Sequence, residues 1–160
     1  MKKAQRKLII QHLNPDDIML EWGSGGSTLE FSNYVKKYFS IEHNEEWYEK
    51  VKNEINNNTF IFLVKPNKKK WEKPVKRKQF KDYVEFVHQI FNDFNILKFD
   101  KVLVDGRARI FCVEEVVKYL HKDSLVFVHD WHRMRYRKML KYLKVIETDE
   151  RKHLAILKKI

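Results

Sequence analysis

Two short stretches of this 160-residue chain gather side chains suited to acid–base or ionic chemistry. Val104-Asp105-Gly106-Arg107-Ala108-Arg109 sets one carboxylate beside two guanidiniums, and Val128-His129-Asp130-Trp131-His132-Arg133 offers a carboxylate, two imidazoles and an indole. Three readings of these residues stay open. In the first, His129, Asp130 or His132 acts as general base toward a bound hydroxyl, histidine being able to hold neutral and charged forms near neutrality. In the second, Asp105 and Asp130 share a divalent cation, Mg or Mn, that acidifies the hydroxyl, although no third oxygen ligand is apparent. In the third, the two aspartates only cap the helices that follow and His129 packs on a sheet. Arg107, Arg109, Arg133 and Trp131 could clamp an anionic molecule, or an arginine could simply pair with Asp105 or Glu42.

A third stretch is marked by glycine. The chain has four glycines, and three of them lie within residues 23–26. So uneven a distribution points to a sharp turn or to close approach of backbone and ligand. A tight turn with no ligand explains the loop taken alone. A phosphate cradle would need Gly-Lys-Ser/Thr after four spacer residues, and none is present. The dinucleotide pattern G-x-G-x-x-G fails at its third glycine, because Gly23 and Gly25 are followed by Thr28.

These groups can cooperate only if the fold brings them together, and the element pattern predicts that it does. Apolar, β-branched runs at 18–22, 39–43, 59–64, 99–104 and 125–128 read as strands. Helical spacing is found at 3–13, 45–55, 80–94, 110–120 and 133–143, and Ser27-x-x-Glu30 has the capping-box pattern of a helix running to about Tyr38. In residues 45–55 the apolar face carries Trp47, Val51 and Ile55. Residues 144–148 and 154–157 read as a closing hairpin. Alternating strands and helices predict one doubly wound α/β domain over 1–160, mostly parallel, with helices on both faces and an antiparallel C-terminal hairpin. Such sheets bind ligands outside the carboxyl ends of their strands. Gly23, Glu42, Asp105 and Asp130 each fall at such an end.

Glu21-Trp22-Gly23-Ser24-Gly25, an acid, one residue and then G-x-G, resembles the first motif of class I S-adenosylmethionine-dependent methyltransferases. Glu42, 19 positions after Gly23, is similar to the acid that ends the second strand in that family. The resemblance implies a Rossmann-like fold, S-adenosylmethionine as cofactor, and hydrogen bonds from both ribose hydroxyls to Glu42. It implies that Glu21 faces the cofactor's amino group or holds the loop. Gly23, Ser24, Gly25, Ser27, Thr28, His43 and Asp105 would complete that site. A sulfonium and an ammonium without a pyrophosphate suit carboxylates and open amides better than a phosphate-binding lysine. Asp105 and Asp130 resemble acids that metal-dependent catechol-type and some sugar O-methyltransferases place after the fourth and fifth strands. The Val-Asp-Gly-Arg and His-Asp strand ends are similar to those of sugar- and polysaccharide-type methyltransferases. A hydroxylated, anionic small molecule or glycan is therefore the implied acceptor.

Charge supplies the competing expectation. The formal net charge is +11. Residues 65–81 hold nine basic residues and one acid, a net +8, which leaves +3 for the rest. Lys68-Lys69-Lys70-Trp71, followed by Lys73, Lys76, Arg77 and Lys78, interleaves an aromatic with positive charge in a basic surface loop over 65–79. Such a loop is either a solvated face or a track for nucleic acid. A nucleic-acid methyltransferase is thus the alternative function, and a cofactor-binding protein without catalysis is a third. The single cysteine, Cys112, falls on an apolar helix face and excludes an internal disulfide. No apolar run is long enough for a membrane span, and the basic start, with its turn completed by residue 16, lacks a signal-peptide core, so a cytoplasmic protein is expected.

Overall fold

The computed structural model describes residues 1–70 and 72–160. All seven strands join one sheet: β1 (Ile18–Trp22), β2 (Lys37–Glu42), β3 (Thr59–Leu63), β4 (Phe99–Val104), β5 (Leu120–His129), β6 (Leu143–Thr148) and β7 (Leu154–Lys159). Their order is β3-β2-β1-β4-β5-β7-β6. Strands β1 to β5 pair in parallel, β7 runs antiparallel to β5, and β6 closes the hairpin on β7. The doubly wound expectation and the reversed terminal hairpin are both met.

The side chains of the central strands alternate between two apolar layers, as a sheet covered on both faces requires. Leu20, Trp22, Val102, Val104, Val126 and Val128 pack with α4 (Lys81–Glu85), α5 (Val87–Asp93), α6 (Arg109–Val116) and the 3₁₀ segment Met134–Lys141. Met19, Leu103 and Phe127 point the other way, onto Ile9 of α1 (Lys3–Ile10) and Phe31 of α2 (Gly26–Phe31). Cys112 is fully buried in the first layer.

Strand order reverses between β1 and β4, and there two loops meet through bare backbone. The Trp22 carbonyl accepts from the amides of Asp105, at 3.0 Å, and Gly106, at 2.6 Å. Gly23 has φ +102°, and a Cβ on it would lie 2.6 Å from the Gly106 nitrogen. A Cβ on Gly106 would in turn collide with the Tyr83 hydroxyl and come within 3.0 Å of the Trp22 carbonyl. By contrast, nothing stands within 4 Å of where a Cβ would be at Gly25 or Gly26.

Several elements differ from the sequence expectation for identifiable reasons. The helix expected to run to Tyr38 ends at Phe31 and tightens to a 3₁₀ turn, Ser32–Tyr34. The Asn58 side-chain amide donates to the Ser32 and Val35 carbonyls, which a longer helix would have used internally. Its start also differs: Thr28 Oγ1 accepts from the Gly25 amide, while Glu30 pairs with Arg6 instead of closing the expected box. Residues 80–94 form two helices that break at Phe86. The segment expected to be an α-helix at 133–143 is 3₁₀ over Met134–Lys141. Trp47 of α3 (Glu45–Lys52) is half-exposed, so only Val51 of its expected apolar face is buried. The basic loop is closed at its base, where the Asn67 amide donates to the Gln79 carbonyl and its side chain to Asp82. Trp71, the aromatic expected within that loop, lies outside the described residues. Among the described residues no helix is long and apolar enough to cross a membrane.

The Gly23–Gly106 contact makes a sharp prediction. Gly23→Ala should lower the unfolding free energy by about 2 kcal/mol or more, through positive φ and backbone collision together. Gly25→Ala should change it by no more than about 0.5 kcal/mol. Urea unfolding of the two variants checks this; equal effects would remove the contact from its place in the fold.

Candidate active site

A cleft of about 480 Å³ opens at the carboxyl edge of the sheet, over the β1/β4 crossover. Its floor is the loop Gly23-Ser24-Gly25-Gly26-Ser27, and its walls include Glu42, His43, Asp105, Gly106, Arg107 and Arg109. The structure thus brings together most of the residues expected to bind a cofactor. Glu21 and Thr28 are the exceptions, since both are fully buried behind the loop.

Glu21 acts as a staple for that loop. Its carboxylate accepts from the hydroxyls of Ser27 at 2.5 Å, Thr28 at 2.6 Å and Ser40 at 2.9 Å. The Ser40 and Ser24 hydroxyls bond to one another at 2.7 Å. Of the two roles open to Glu21, the geometry is that of holding the loop; contact with a ligand's amino group is corrected. Thr28 is likewise corrected from ligand contact to support of Gly25. Burial, resisted by the three hydroxyls, pushes the Glu21 carboxyl from 4.5 up to about 7.

Glu42 ends β2 and is held by backbone amides. Its Oε2 accepts from Ser24 at 2.6 Å, and its Oε1 from His43 at 2.8 Å and Asn44 at 2.7 Å. The His43 Nδ1 also lies 2.9 Å from Oε1. Oε1 is therefore filled, and the spare acceptor capacity is on Oε2. The expectation of two ribose hydroxyls on this carboxylate narrows to one. The His43 ring stands edge-on to Phe80 and Tyr83, which fixes it on the cleft wall.

At the far wall a single arginine organises both acidic strand ends. Arg109 donates to the carbonyls of Gly106 at 2.9 Å, Asp105 at 2.8 Å and His129. It pairs with Asp105 Oδ1 and with Asp130 Oδ2, each at 3.2 Å, and its guanidinium lies over the Tyr136 ring. Its donors are spent on the protein itself, so the expected anion clamp is corrected to a tie between β4 and β5. Arg133 adds a second pair to Asp130 at 3.0 Å. Arg107 is exposed and lines the cleft.

His129 Nδ1 lies 2.9 Å from Asp105 Oδ1. This partner fixes the proton on Nδ1 and leaves Nε2 as the basic nitrogen. Asp130 adopts φ +61° just after β5. Burial would raise its carboxyl, but Arg109, with His129, Arg133 and His132 behind it, holds it below the usual range. A carboxylate so held is a weak base. Neither aspartate caps a helix: Ala108 stands at the start of α6 and Arg133 at the start of the 3₁₀ segment, each without a side-chain cap.

His129, Asp130, Trp131, His132 and Arg133 are not among the residues that line the cleft; His129 and Asp130 adjoin it through Asp105 and Arg109, and the others lie elsewhere. Trp131 is buried in the core with Arg137 4.4 Å over its ring, so its indole is not offered to a substrate. His132 is exposed and packs on His153 at 4.4 Å. The metal reading does not fit either. Among the described residues no group of three His, Cys, Asp or Glu could hold an ion, and Arg109 already stands between Asp105 and Asp130 as partner to both. Sequence reasoning missed Trp47, Met1 and Arg6, which also line the cleft. Helical spacing assigned Trp47 to a buried face, and nothing local signalled the approach of the N-terminal helix.

Glu21 leads to a pH prediction. The folded chain keeps the Glu21 proton up to about pH 7, whereas the unfolded chain releases it near 4.5, so stability falls as pH rises between these values. The loss from this group approaches about 3 kcal/mol, and Glu21→Gln should remove that slope. Urea unfolding between pH 5 and 8 measures it, and an unchanged slope in the variant would refute the assignment.

No family model and no curated protein matches the chain. Among solved structures it is similar to a methyltransferase-like protein from Silicibacter pomeroyi, with TM-score 0.76 and 21% identity over 99% of this chain and 86% of that one. It is similar to an rRNA methylase from Streptococcus thermophilus, with TM-score 0.62 and 10% identity over 98% and 95%. It also resembles a Streptococcus mutans protein in complex with SAH, with TM-score 0.57 and 12% identity over 99% and 96%. At these identities the likeness is one of architecture: the chain has the Rossmann-like fold of the class I methyltransferases.

Proposed function

We propose that this protein is an S-adenosylmethionine-dependent methyltransferase acting on a sugar hydroxyl. The observation that carries the reading is the cleft itself. It combines open space at Gly25 and Gly26, a carboxylate held by three amides, and no lysine among its lining residues. Its volume, about 480 Å³, is in the range of small-molecule sites. The SAH-bound Streptococcus mutans structure supports the same ligand class.

When bound, S-adenosylmethionine supplies a methyl group already activated on a sulfonium. The chain's own residues then hold and orient. Glu42 Oε2 accepts one ribose hydroxyl, the bare backbone at Gly25 and Gly26 leaves room for the adenosyl group, and His43 with Trp47 walls the cleft. Asp105 orients His129 so that Nε2 can take the proton of an acceptor hydroxyl. Asp130 stays ionised and, with Arg109, fixes the strand ends. Arg107 lines the cleft, where its positive charge favours an anionic acceptor.

Two outcomes check this. Glu42→Ala should weaken binding of SAH by about thirtyfold or more, the worth of a charged hydrogen bond, with the far-ultraviolet dichroism unchanged; wild-type affinity in calorimetry would reject the ribose assignment. With label from S-adenosylmethionine and a panel of glycan and RNA acceptors, His129→Asn should cost turnover about a hundredfold or more while SAH affinity holds. Cofactor affinity without transfer to any acceptor would favour a non-catalytic binding protein instead.

A further inference from the structure

The 3₁₀ segment Met134–Lys141 carries a feature that the cofactor site does not use. Runs of this helix beyond three or four residues are uncommon, and this one has eight. With three residues per turn, side chains three apart stack in straight rows. One row, Tyr136 and Met139, is buried against the core beside α6. A second, Arg135, Lys138 and Lys141, is exposed throughout and continues into exposed Lys144. The third contains Met134, largely exposed, and Leu140, 40% exposed, with Arg137 between them.

The cationic row is unopposed. No acid occurs between Asp130 and Glu147. Among the described residues none of Arg135, Lys138, Lys141 and Lys144 forms an ion pair, whereas Lys65, Lys76, Arg77 and Lys118 do. Two members are braced by rings, Arg135 over Tyr136 at 5.1 Å and Lys141 over Tyr142 at 5.5 Å. Bracing of this kind lowers the entropy lost when the charges engage a ligand.

Place and spacing say what the ligand is. The segment starts at the carboxyl end of β5, next to Asp130 and Arg109, and crosses to the amino end of β6, so Arg135 stands nearest the cleft and the row leads away from it. Successive members of the row are about 6 Å apart for ideal 3₁₀ geometry, a step comparable to that between phosphates of an unstacked strand. The loop closed by Asn67 and Gln79, with exposed Lys68, Lys69 and Lys70, leaves the same edge of the sheet beyond β3. A basic loop and the first turn of the row therefore both leave the carboxyl edge of the sheet, where the cleft opens.

We infer that Arg135, Lys138 and Lys141 form a phosphate-tracking row for single-stranded RNA, with Met134 and Leu140 beside it as apolar contacts for bases. This rests on the proposed hydroxyl chemistry and deepens it, since the acceptor is then the ribose 2′-hydroxyl of a polynucleotide. Phosphate contacts of this kind position a strand without reading its sequence.

The test uses the full chain and a fluorescein-labelled 20-nucleotide oligouridylate, followed by anisotropy from low to moderate NaCl. The triple variant Arg135→Gln, Lys138→Gln, Lys141→Gln should bind about tenfold or more weakly, and its log–log salt slope should be shallower by about 2. A control triple, Lys36→Gln, Lys98→Gln, Lys122→Gln, removes the same charge near the amino ends of the strands and should bind as wild type does. Equal losses in the two triples, no loss in the first, or binding of phosphatidylserine vesicles or a sulfated glycan in place of the RNA would each overturn the inference. Calorimetric titration of all three proteins with SAH reports separately on the cofactor cleft. Absence of SAH binding by wild type, with RNA binding through the row intact, would reject the methyltransferase reading and leave the row standing.

Discussion

Backbone meets backbone at the β1/β4 crossover, and the rest of the site is arranged around that contact. The Trp22 carbonyl takes two amide hydrogens from the loop after β4, and Gly23 and Gly106 come so close that neither has room for a Cβ. The crossover is where strand order reverses and neighbouring loops diverge, so a depression forms there in any doubly wound sheet. Glycine at both crossing points keeps the floor of the depression low. Tyr83, fully buried, closes the space beneath Gly106. The unfilled side of the loop, at Gly25 and Gly26, then faces outward into the cleft.

Four carboxylates lie near this crossing, and their surroundings give them different work. Glu21 is removed from water and faces three hydroxyls, which hold the loop whether or not the carboxyl is ionised. Glu42 faces amides on the cleft wall and retains acceptor capacity on one oxygen. Asp105 divides itself between an imidazole and a guanidinium, so it can orient His129 without being a base itself. Asp130 pairs with two arginines, both on Oδ2. Arg109 is the common partner of the last two, and its position as the first residue of α6 lets one side chain reach both strand ends.

The outer side of the β5 edge obeys a different rule. The 3₁₀ winding of residues 134–141 separates a buried row from a charged one with no mixing, which an α-helix of the same sequence would not do. The charge excess noted in residues 65–81 is thus only one of two basic elements, and aromatic rings brace two members of the second.

The sequence by itself determined the strand and helix alternation, the parallel sheet with its reversed hairpin, and the placing of Gly23, Glu42, Asp105 and Asp130 at strand ends. These follow from short-range patterns, since burial on two faces imposes continuous apolar runs and turns demand glycine. It could not assign partners. That Arg109 spends its donors on β4 and β5, that Glu21 and Thr28 face inward, that Trp131 is core while Trp47 lines the cleft, and that residues 133–143 wind as 3₁₀ all depend on contacts between segments far apart in the chain. An arginine reads the same in sequence whether it meets a ligand or a neighbouring carbonyl. Only packing, which decides what each donor can reach before solvent or substrate does, tells the two apart.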